Sequence, residues 1–419
     1  MRAAFANTGL VIASLVISLL VIEIAVRFYI TPPKPYGLVP ESSPADIRFS
    51  VFDKRGFFAW RPGYRGWFDN GVDFVGKRVT TNANGGRTVP CAAHVGAPEN
   101  RIFLIGDSQT FGWGLADDET WANRFQCDLN GRLPGRFRVH NLAYPGAQVD
   151  QLYMRAIGQV EPAAKPGDIA IISFTWNDLI TFYKPLSFVD AALKDAGLRQ
   201  IPDKGGSTAK VRSLGNIAPA NAPAAEAAEL KLSLSNPVNY LRTQSWRYPI
   251  YNEYGLFIPS FESAWAFLNS LQYLSAAFQV AWSNARLLYY RFRPSDELTK
   301  KIPPGTFRSN FLVLRSLQDR LKQKGVRVFV QLLPSRLFYD DYYYNAYSAN
   351  GVAFPARDYL AHVAMPYCKS LQLHCLNRFG ELISSKKNAH SFPYDGHINP
   401  IGAARIGRAL SDDLQHLLR

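Results

Sequence analysis

Three apolar runs rich in branched residues constrain this chain most. They are Arg101-Ile102-Phe103-Leu104-Ile105, Asp168-Ile169-Ala170-Ile171-Ile172-Ser173-Phe174-Thr175, and the stretch 326–333. Such runs, apolar without strict alternation, read as strands buried on both faces, as in a parallel sheet. Segments of helical character separate them. After strand 101–106, Trp121, Phe125 and Leu129 recur every fourth residue, and Asp117 or Asp118 is placed to cap that helix. A strand over 137–143 and a helix near 148–160 lead to strand 168–175. The pattern resumes with a helix near 308–324 that ends at Gly325, a good C′ residue, then strand 326–333. A helix near 356–370, a short strand at 371–376 and a final helix from about 400 complete it. This alternation predicts an α/β fold: a parallel sheet with helices on both faces, joined by right-handed crossovers.

Residues 1–32 read as a membrane anchor. Thr8 to Ile30 reads TGLVIASLVISLLVIEIAVRFYI, with only Glu23 and Arg27 charged. That length suits a helix crossing ~30 Å of hydrocarbon at ~1.5 Å per residue. Glu23 and Arg27, spaced i,i+4, can pair on one helix face near the interface. No small-x-small cleavage site follows the apolar core, so an uncleaved anchor is preferred over a removed signal peptide. Long domains translocate largely regardless of flanking charge. The expectation is a single-pass protein of the inner (cytoplasmic) membrane with its main domain outside the cytoplasm.

Residues 33–100, rich in Pro, Gly and aromatics, read as an irregular, β-rich lead-in. The main domain spans 101–419, with a helical insertion at about 185–305. Within the insertion, Asn216 to Leu230 is Ala/Pro-rich and reads as a flexible loop. Ser263 to Ala285 carries no charged residue, yet Gln272, Ser275, Gln279 and Ser283 form a polar stripe. That stripe favours an amphipathic helix over a second membrane span.

A hydrophobic content of 47% with 19% charged residues fits a globular protein with a sizeable core. The net charge of +14 attracts anionic partners such as phospholipid head groups, acidic polysaccharide or nucleic acid, but the basic residues are scattered, so a solvated basic surface is the preferred reading. No Lys/Arg run is long enough for a nucleic-acid arm, so nucleic acid is not an expected partner. Cys91, Cys127, Cys368 and Cys375 allow two disulfides in an exported protein, or buried free thiols. Cys368 and Cys375 would close a short loop between a helix end and a strand. Cys368, His374 and Cys375 show neither CxxC nor HExxH, and no metal or other cofactor is expected.

Gly106-Asp107-Ser108 directly follows the first apolar run. A serine there sits at the carboxyl end of a strand, where open α/β sheets place ligands, and at the positive end of any helix that starts there. The plainer reading is a strand-to-helix turn with Asp or Ser as cap. As a nucleophile the serine needs a base and donors for an oxyanion. Ala143-Tyr144-Pro145-Gly146 follows the second strand, and Gly146 offers an unobstructed N–H. Trp176-Asn177-Asp178 follows the third, and the Asn177 amide can donate at the same face. Tyr394-Asp395-Gly396-His397-Ile398-Asn399 precedes the last helix; His397 can be the base and Asp395 can orient it. His390 is the nearest rival base, while His140 and His374 read as structural strand residues.

This set, in chain order, resembles the SGNH hydrolases, the GDSL esterase/lipase family. The resemblance implies a flavodoxin-like three-layer α/β/α sandwich. It implies Ser108 as nucleophile and Asp395 and His397 as its partners, with an oxyanion hole from the N–H groups of Ser108 and Gly146 and the Asn177 side chain. Val79-Thr80-Thr81-Asn82 through Gly85-Gly86-Arg87 resembles the lead-in of membrane-anchored bacterial members. Two departures stand out. The chain has Asp-x-His where Asp-x-x-His is commonest, and its first block reads GDSQ, a change that should not touch the chemistry. The GxSxG elbow of α/β-hydrolases is absent.

The expected activity is serine-dependent hydrolysis of acyl esters of lipid or envelope glycan, outside the cytoplasm. Acyl transfer to or from an envelope polysaccharide, or deacetylation of one, would use the same residues. A catalytically inactive envelope-binding module is the non-enzymatic alternative. Ser108 and His397 must share one side of the membrane. Ser263–Ala285 is therefore expected to be a lid or interfacial helix, or to pack on the core. The aromatic run Phe338-Tyr339-Asp340-Asp341-Tyr342-Tyr343-Tyr344 either lines a substrate groove or packs as an ordinary loop.

Overall fold

A computed structural model describes residues 2–29, 38–40, 50–52, 58–60, 62–145, 147, 149–175, 275–278, 280, 281, 284, 285, 304–349 and 357–417. Gly146, Asn177 and most of the 185–305 insertion lie outside the described residues.

The chain begins with helix α1 (Arg2–Arg27). Arg27 donates to Glu23 at 2.6 Å, the i,i+4 pair expected from the spacing. Val11, Leu15, Leu19, Ile22 and Ile24 are exposed around the helix, with no single apolar face. Among the described residues, no helix is long and apolar enough to cross a membrane. The expected span over 8–30 is therefore not found among the described residues. Glu23 also accepts hydrogen bonds from Ser275 Oγ (2.6 Å) and from the N–H groups of Ala276 (3.1 Å) and Ala277 (3.0 Å). The described part of the uncharged 263–285 stretch thus docks on α1.

The lead-in forms short strands β1 (Leu38–Pro40), β2 (Ser50–Phe52), β3 (Phe58–Trp60), β4 (Arg65–Phe68) and β5 (Lys77–Thr80). β1, β4 and β5 make an antiparallel sheet, and β2 pairs with β3. Phe68 and Phe74 bury their rings against Phe111 and Phe392, so lead-in and main domain share one core. Thr81 bridges Arg87, and Arg87 bridges Asn141 in the main sheet.

The main domain follows as β6 (Asn100–Ile105), α2 (Ser108–Phe111), α3 (Trp121–Arg132), β7 (Phe137–Asn141), α4 (Val149–Arg155) and β8 (Ile169–Thr175). Then come α5 (Pro304–Lys322), β9 (Arg327–Leu333), α6 (Arg336–Tyr339), α7 (Asp341–Ala349), α8 (Met365–Ser370), β10 (Cys375–Asn377), α9 (Phe379–Leu382) and α10 (Pro400–Leu417). The five parallel strands are ordered β7-β6-β8-β9-β10, the 2-1-3-4-5 order of flavodoxin-like folds. Every residue of the central strand β8 is buried, which is why its sequence lacks alternation. Helices α3 and α10 pack together; a Cβ on Gly407 would lie 2.9 Å from the Trp121 carbonyl.

α3 is capped not by Asp117 or Asp118 but by Thr120, whose hydroxyl accepts from the Asn123 N–H at 3.2 Å. Asp117 is committed elsewhere. It accepts from Arg87 Nε (2.7 Å), the Thr80 N–H (3.0 Å) and the Thr80 hydroxyl (2.6 Å).

The four cysteines pair as Cys91–Cys127 and Cys368–Cys375, the latter closing the short loop between α8 and β10. The first ties the end of the lead-in to α3 across a separation of 36 residues. On chain-entropy grounds a loop of that length stabilises by about 3–4 kcal/mol. Replacing both Cys91 and Cys127 by Ser is expected to lower unfolding free energy by that amount in denaturant titration. A change below about 1 kcal/mol would mean that the bridge constrains little.

Candidate active site

β6 delivers Gly106-Asp107-Ser108 at the point where strand order reverses, between β7 and β8 on either side of it. Such switch points open a crevice at the carboxyl ends of the strands. A Cβ on Gly106 would lie 2.1 Å from Thr110 Oγ1, so only glycine lets the chain turn this tightly. Asp107 caps α2 by accepting the Gln109 N–H (2.9 Å), and its other oxygen accepts the Thr175 hydroxyl (2.8 Å) at the end of β8. Two strands therefore fix the residue before the serine. α2 is a single turn of four residues that ends at Gly112 in the left-handed region (φ 84°). Its macrodipole is too short to match the expectation for a full helix, so individual N–H donors must do that work.

His397 Nε2 lies 2.7 Å from Ser108 Oγ. His397 Nδ1 hydrogen-bonds the Asp395 carboxylate. A proton on Nδ1, held by the carboxylate, leaves Nε2 free to accept from the serine hydroxyl. The Asp-x-His spacing works because Asp395 Oδ1 also accepts the His397 backbone N–H at 3.2 Å. One carboxylate thus fixes both the ring and the backbone of the histidine. Burial pushes the Asp395 pKa up, but the His397 contacts and the Arg336 charge outweigh it and hold the carboxyl below the usual range. The site can take a proton from a serine hydroxyl and return it.

Three groups that the sequence did not single out frame the loop carrying Asp395 and His397. Asp73 Oδ2 accepts the N–H groups of Asp395 (2.6 Å) and Tyr394 (3.1 Å). Asp73 is itself set by a turn in which Asn70 Oδ1 accepts the N–H groups of Val72, Asp73 and Phe74. Gln109 Oε1 accepts the Ile398 N–H at 3.0 Å. The fourth residue of the GDSQ block therefore does bear on the chemistry, because it ties the nucleophile's turn to the histidine's loop. Arg336 donates to the carbonyls of Phe392 (3.0 Å) and Pro393 (2.7 Å). Trp113 stands 6.2 Å from the His397 ring, centroid to centroid, and forms an aromatic wall.

Burial and the neighbouring Asp395 charge raise the Asp73 pKa, while the two N–H donors oppose them. Asp73→Ala would leave those donors unpaired, at about 1–3 kcal/mol. It is expected to lower kcat on a small ester by roughly ten- to a hundredfold with KM little changed. Asp73→Asn, which keeps an acceptor, should restore part of the loss. Unchanged kcat in Asp73→Ala would show that the loop holds without it.

The rival histidines His390, His140 and His374 are structural. Buried His390 bonds the Leu382 carbonyl at 2.7 Å, and burial lowers its pKa. His140 stacks on Phe103, and His374 meets Phe329 edge-on. In the aromatic run, Phe338 and Tyr339 are core residues. Tyr343 bonds Asn388 at 3.0 Å, and Tyr344 packs under Arg357. Most of the run is thus loop packing rather than groove lining, although Tyr342 stays exposed. Ser108 presents its N–H with no partner among the described residues, while Gly146 and Asn177 lie outside them.

Residues 104–232 match the model of the GDSL-like lipase/acylhydrolase family. No curated protein matches the chain. Among solved structures, the chain is similar to a protein described as lipolytic and of the G-D-S-L family from Desulfitobacterium hafniense DCB-2. Identity is 11%, with 74% of this chain and 98% of that one covered, at a TM-score of 0.33. It is also similar to TesA, at 10% identity, 76% and 99% coverage and a TM-score of 0.33. The family match ends well before His397, so the serine that the match contains and the histidine that it lacks are joined by the fold. Over residues 104–232 the sequence is thus similar to the GDSL-like lipases/acylhydrolases, and the fold brings Ser108, His397 and Asp395 together beside that stretch.

Proposed function

We propose that the chain hydrolyses acyl esters of lipid or envelope glycan outside the cytoplasm, with Ser108 as nucleophile, His397 as base and Asp395 as its orienting partner. The observation that carries this reading is the 2.7 Å approach of His397 Nε2 to Ser108 Oγ, backed by the Asp395 carboxylate. Ser108 Oγ attacks the ester carbonyl while its proton passes to Nε2. The tetrahedral oxyanion is held by the N–H groups of Ser108 and Gly146 and the Asn177 amide. Collapse expels the alcohol, which takes the proton from His397, and leaves an acyl-serine. Water, deprotonated by His397, then releases the acid and restores the hydroxyl.

One observation supports a location outside the cytoplasm, and another supports attachment to a membrane. Both cysteine pairs are oxidised, which suits an oxidising compartment. The exposed apolar side chains of α1 suit membrane attachment, where lipid would cover them.

The full chain in detergent is expected to release p-nitrophenol from p-nitrophenyl acetate and to be labelled at Ser108 by a fluorophosphonate. No labelling, under conditions that label a control esterase, would favour the non-catalytic alternative. Release of free acetate alone, with envelope glycans present as acceptors, would separate hydrolysis from acyl transfer.

A further inference from the structure

The lead-in sheet turns one face to the core and the other outward. On the outer face, Arg65 pairs in register with Thr80, and Trp67 with Arg78. The two arginines are therefore diagonal neighbours on adjacent strands, close enough for long side chains to share a ligand. Both are exposed, and neither has an acidic partner among the described residues. They border a cleft of about 480 Å³ that Thr80, Thr88, Asp117 and Asp118 also line. Asp117 is spent on Arg87 and Thr80, so its charge is already balanced. Asp118 is the exposed carboxylate left in the lining.

We propose that this cleft binds a negatively charged saccharide. A carboxylate or phosphate on the sugar sits between Arg65 and Arg78, where two unpaired guanidinium groups gain from a shared anion. The Thr88 hydroxyl and the Asp118 carboxylate take sugar hydroxyls. Trp67, half-buried, stands in register opposite Arg78 on the same sheet face. The volume suits one or two sugar rings. The carboxylate in the lining favours a polyol, rich in donors, over a plain anionic lipid surface.

The sheet that carries the cleft shares one buried core with the nucleophile's turn. Its Asp117 floor is paired with Arg87, which donates to the Leu115 carbonyl (2.7 Å) and reaches the Gly112 carbonyl (3.5 Å), where α2 ends. As a binding site the cleft stands alone. As the site that names an acidic glycan as substrate class, it rests on the esterase reading.

The test is titration of the full chain in detergent with a short polygalacturonate oligomer, a neutral maltooligosaccharide, inorganic phosphate and vesicles containing anionic phospholipid. Saturable binding of the acidic oligomer is expected, with the neutral one much weaker. Arg65→Ala/Arg78→Ala is expected to weaken binding roughly tenfold or more. Turnover of p-nitrophenyl acetate by that variant should be unchanged, which also reports that it folds. Equal binding by the double variant, or tighter binding of vesicles than of the oligomer, would overturn the proposal. If the wild-type chain binds the oligomer but turns over no ester, the binding site stands and the esterase reading fails.

Discussion

Ser108→Ala is expected to reduce p-nitrophenyl acetate turnover by roughly 10⁴- to 10⁶-fold. The hydroxyl is the atom that bonds the acyl group, and neither other alcohol near the turn is open to substrate. The Thr175 hydroxyl is given to Asp107, and Thr110 lies buried within α2. His397→Ala should cost about as much, because a serine hydroxyl without its base is a weak nucleophile. The double variant should lose no more than either single one, since the pair acts as a unit. Asp395→Asn should cost about 10⁴-fold, by favouring the wrong tautomer of His397. KM should change little throughout, since Ser108 and His397 touch the reacting carbonyl rather than the rest of the substrate. Retention of more than about a tenth of wild-type turnover in Ser108→Ala would remove the serine from the mechanism.

The largest effect on stability is expected from Asp117→Ala. Arg87 is fully buried, and its guanidinium lies against the rings of Phe68 and Phe111, at 5.4 and 4.8 Å from their centroids. Burial pushes its pKa down, and the facing Asp117 opposes that. Arginine stays charged in proteins, so loss of Asp117 strands a positive charge in the core. It also strips the Thr80 N–H and hydroxyl of their acceptor. Breaking such a buried pair typically costs about 3–5 kcal/mol. The melting temperature should fall by roughly 10 °C. Arg87→Met/Asp117→Leu, which removes both charges, should recover much of the loss. Esterase turnover should fall with Asp117→Ala, because Arg87 holds the carbonyls that close α2 behind Ser108. An unchanged melting curve would mean that the Arg87 charge is balanced by other groups.

The parts of this molecule that are legible in its sequence are those encoded locally. Strand β8 carries its burial in consecutive residues, so its run of apolar side chains was enough. Asp395 and His397 are two apart, and their pairing needs only a turn. What stayed hidden depends on approach across the chain. Gln109 meets Ile398 over a separation of 289 residues, and Asp73 meets Asp395 over 322. Neither glutamine nor aspartate carries a pattern that names so distant a partner. Within its own segment, Asp117 looks like a cap. Arg87, 30 residues earlier in the chain, claims it instead. The docking of Ser275 on Glu23 joins residues 252 apart and was invisible for the same reason.

The bridge from Arg87 to Asn141 has a practical meaning for anyone who would trim this protein to its sheet. β7 is an outer strand, and the Arg87 N–H satisfies the Asn141 carbonyl at its end (2.9 Å). A truncated chain starting at residue 101 would bare that rim and shed Asp73 with it. Bare strand rims recruit other chains. Such a fragment is expected to precipitate, and any soluble fraction would hold its histidine loosely. The smallest excisable esterase therefore starts upstream of β4, not at the first strand of the parallel sheet.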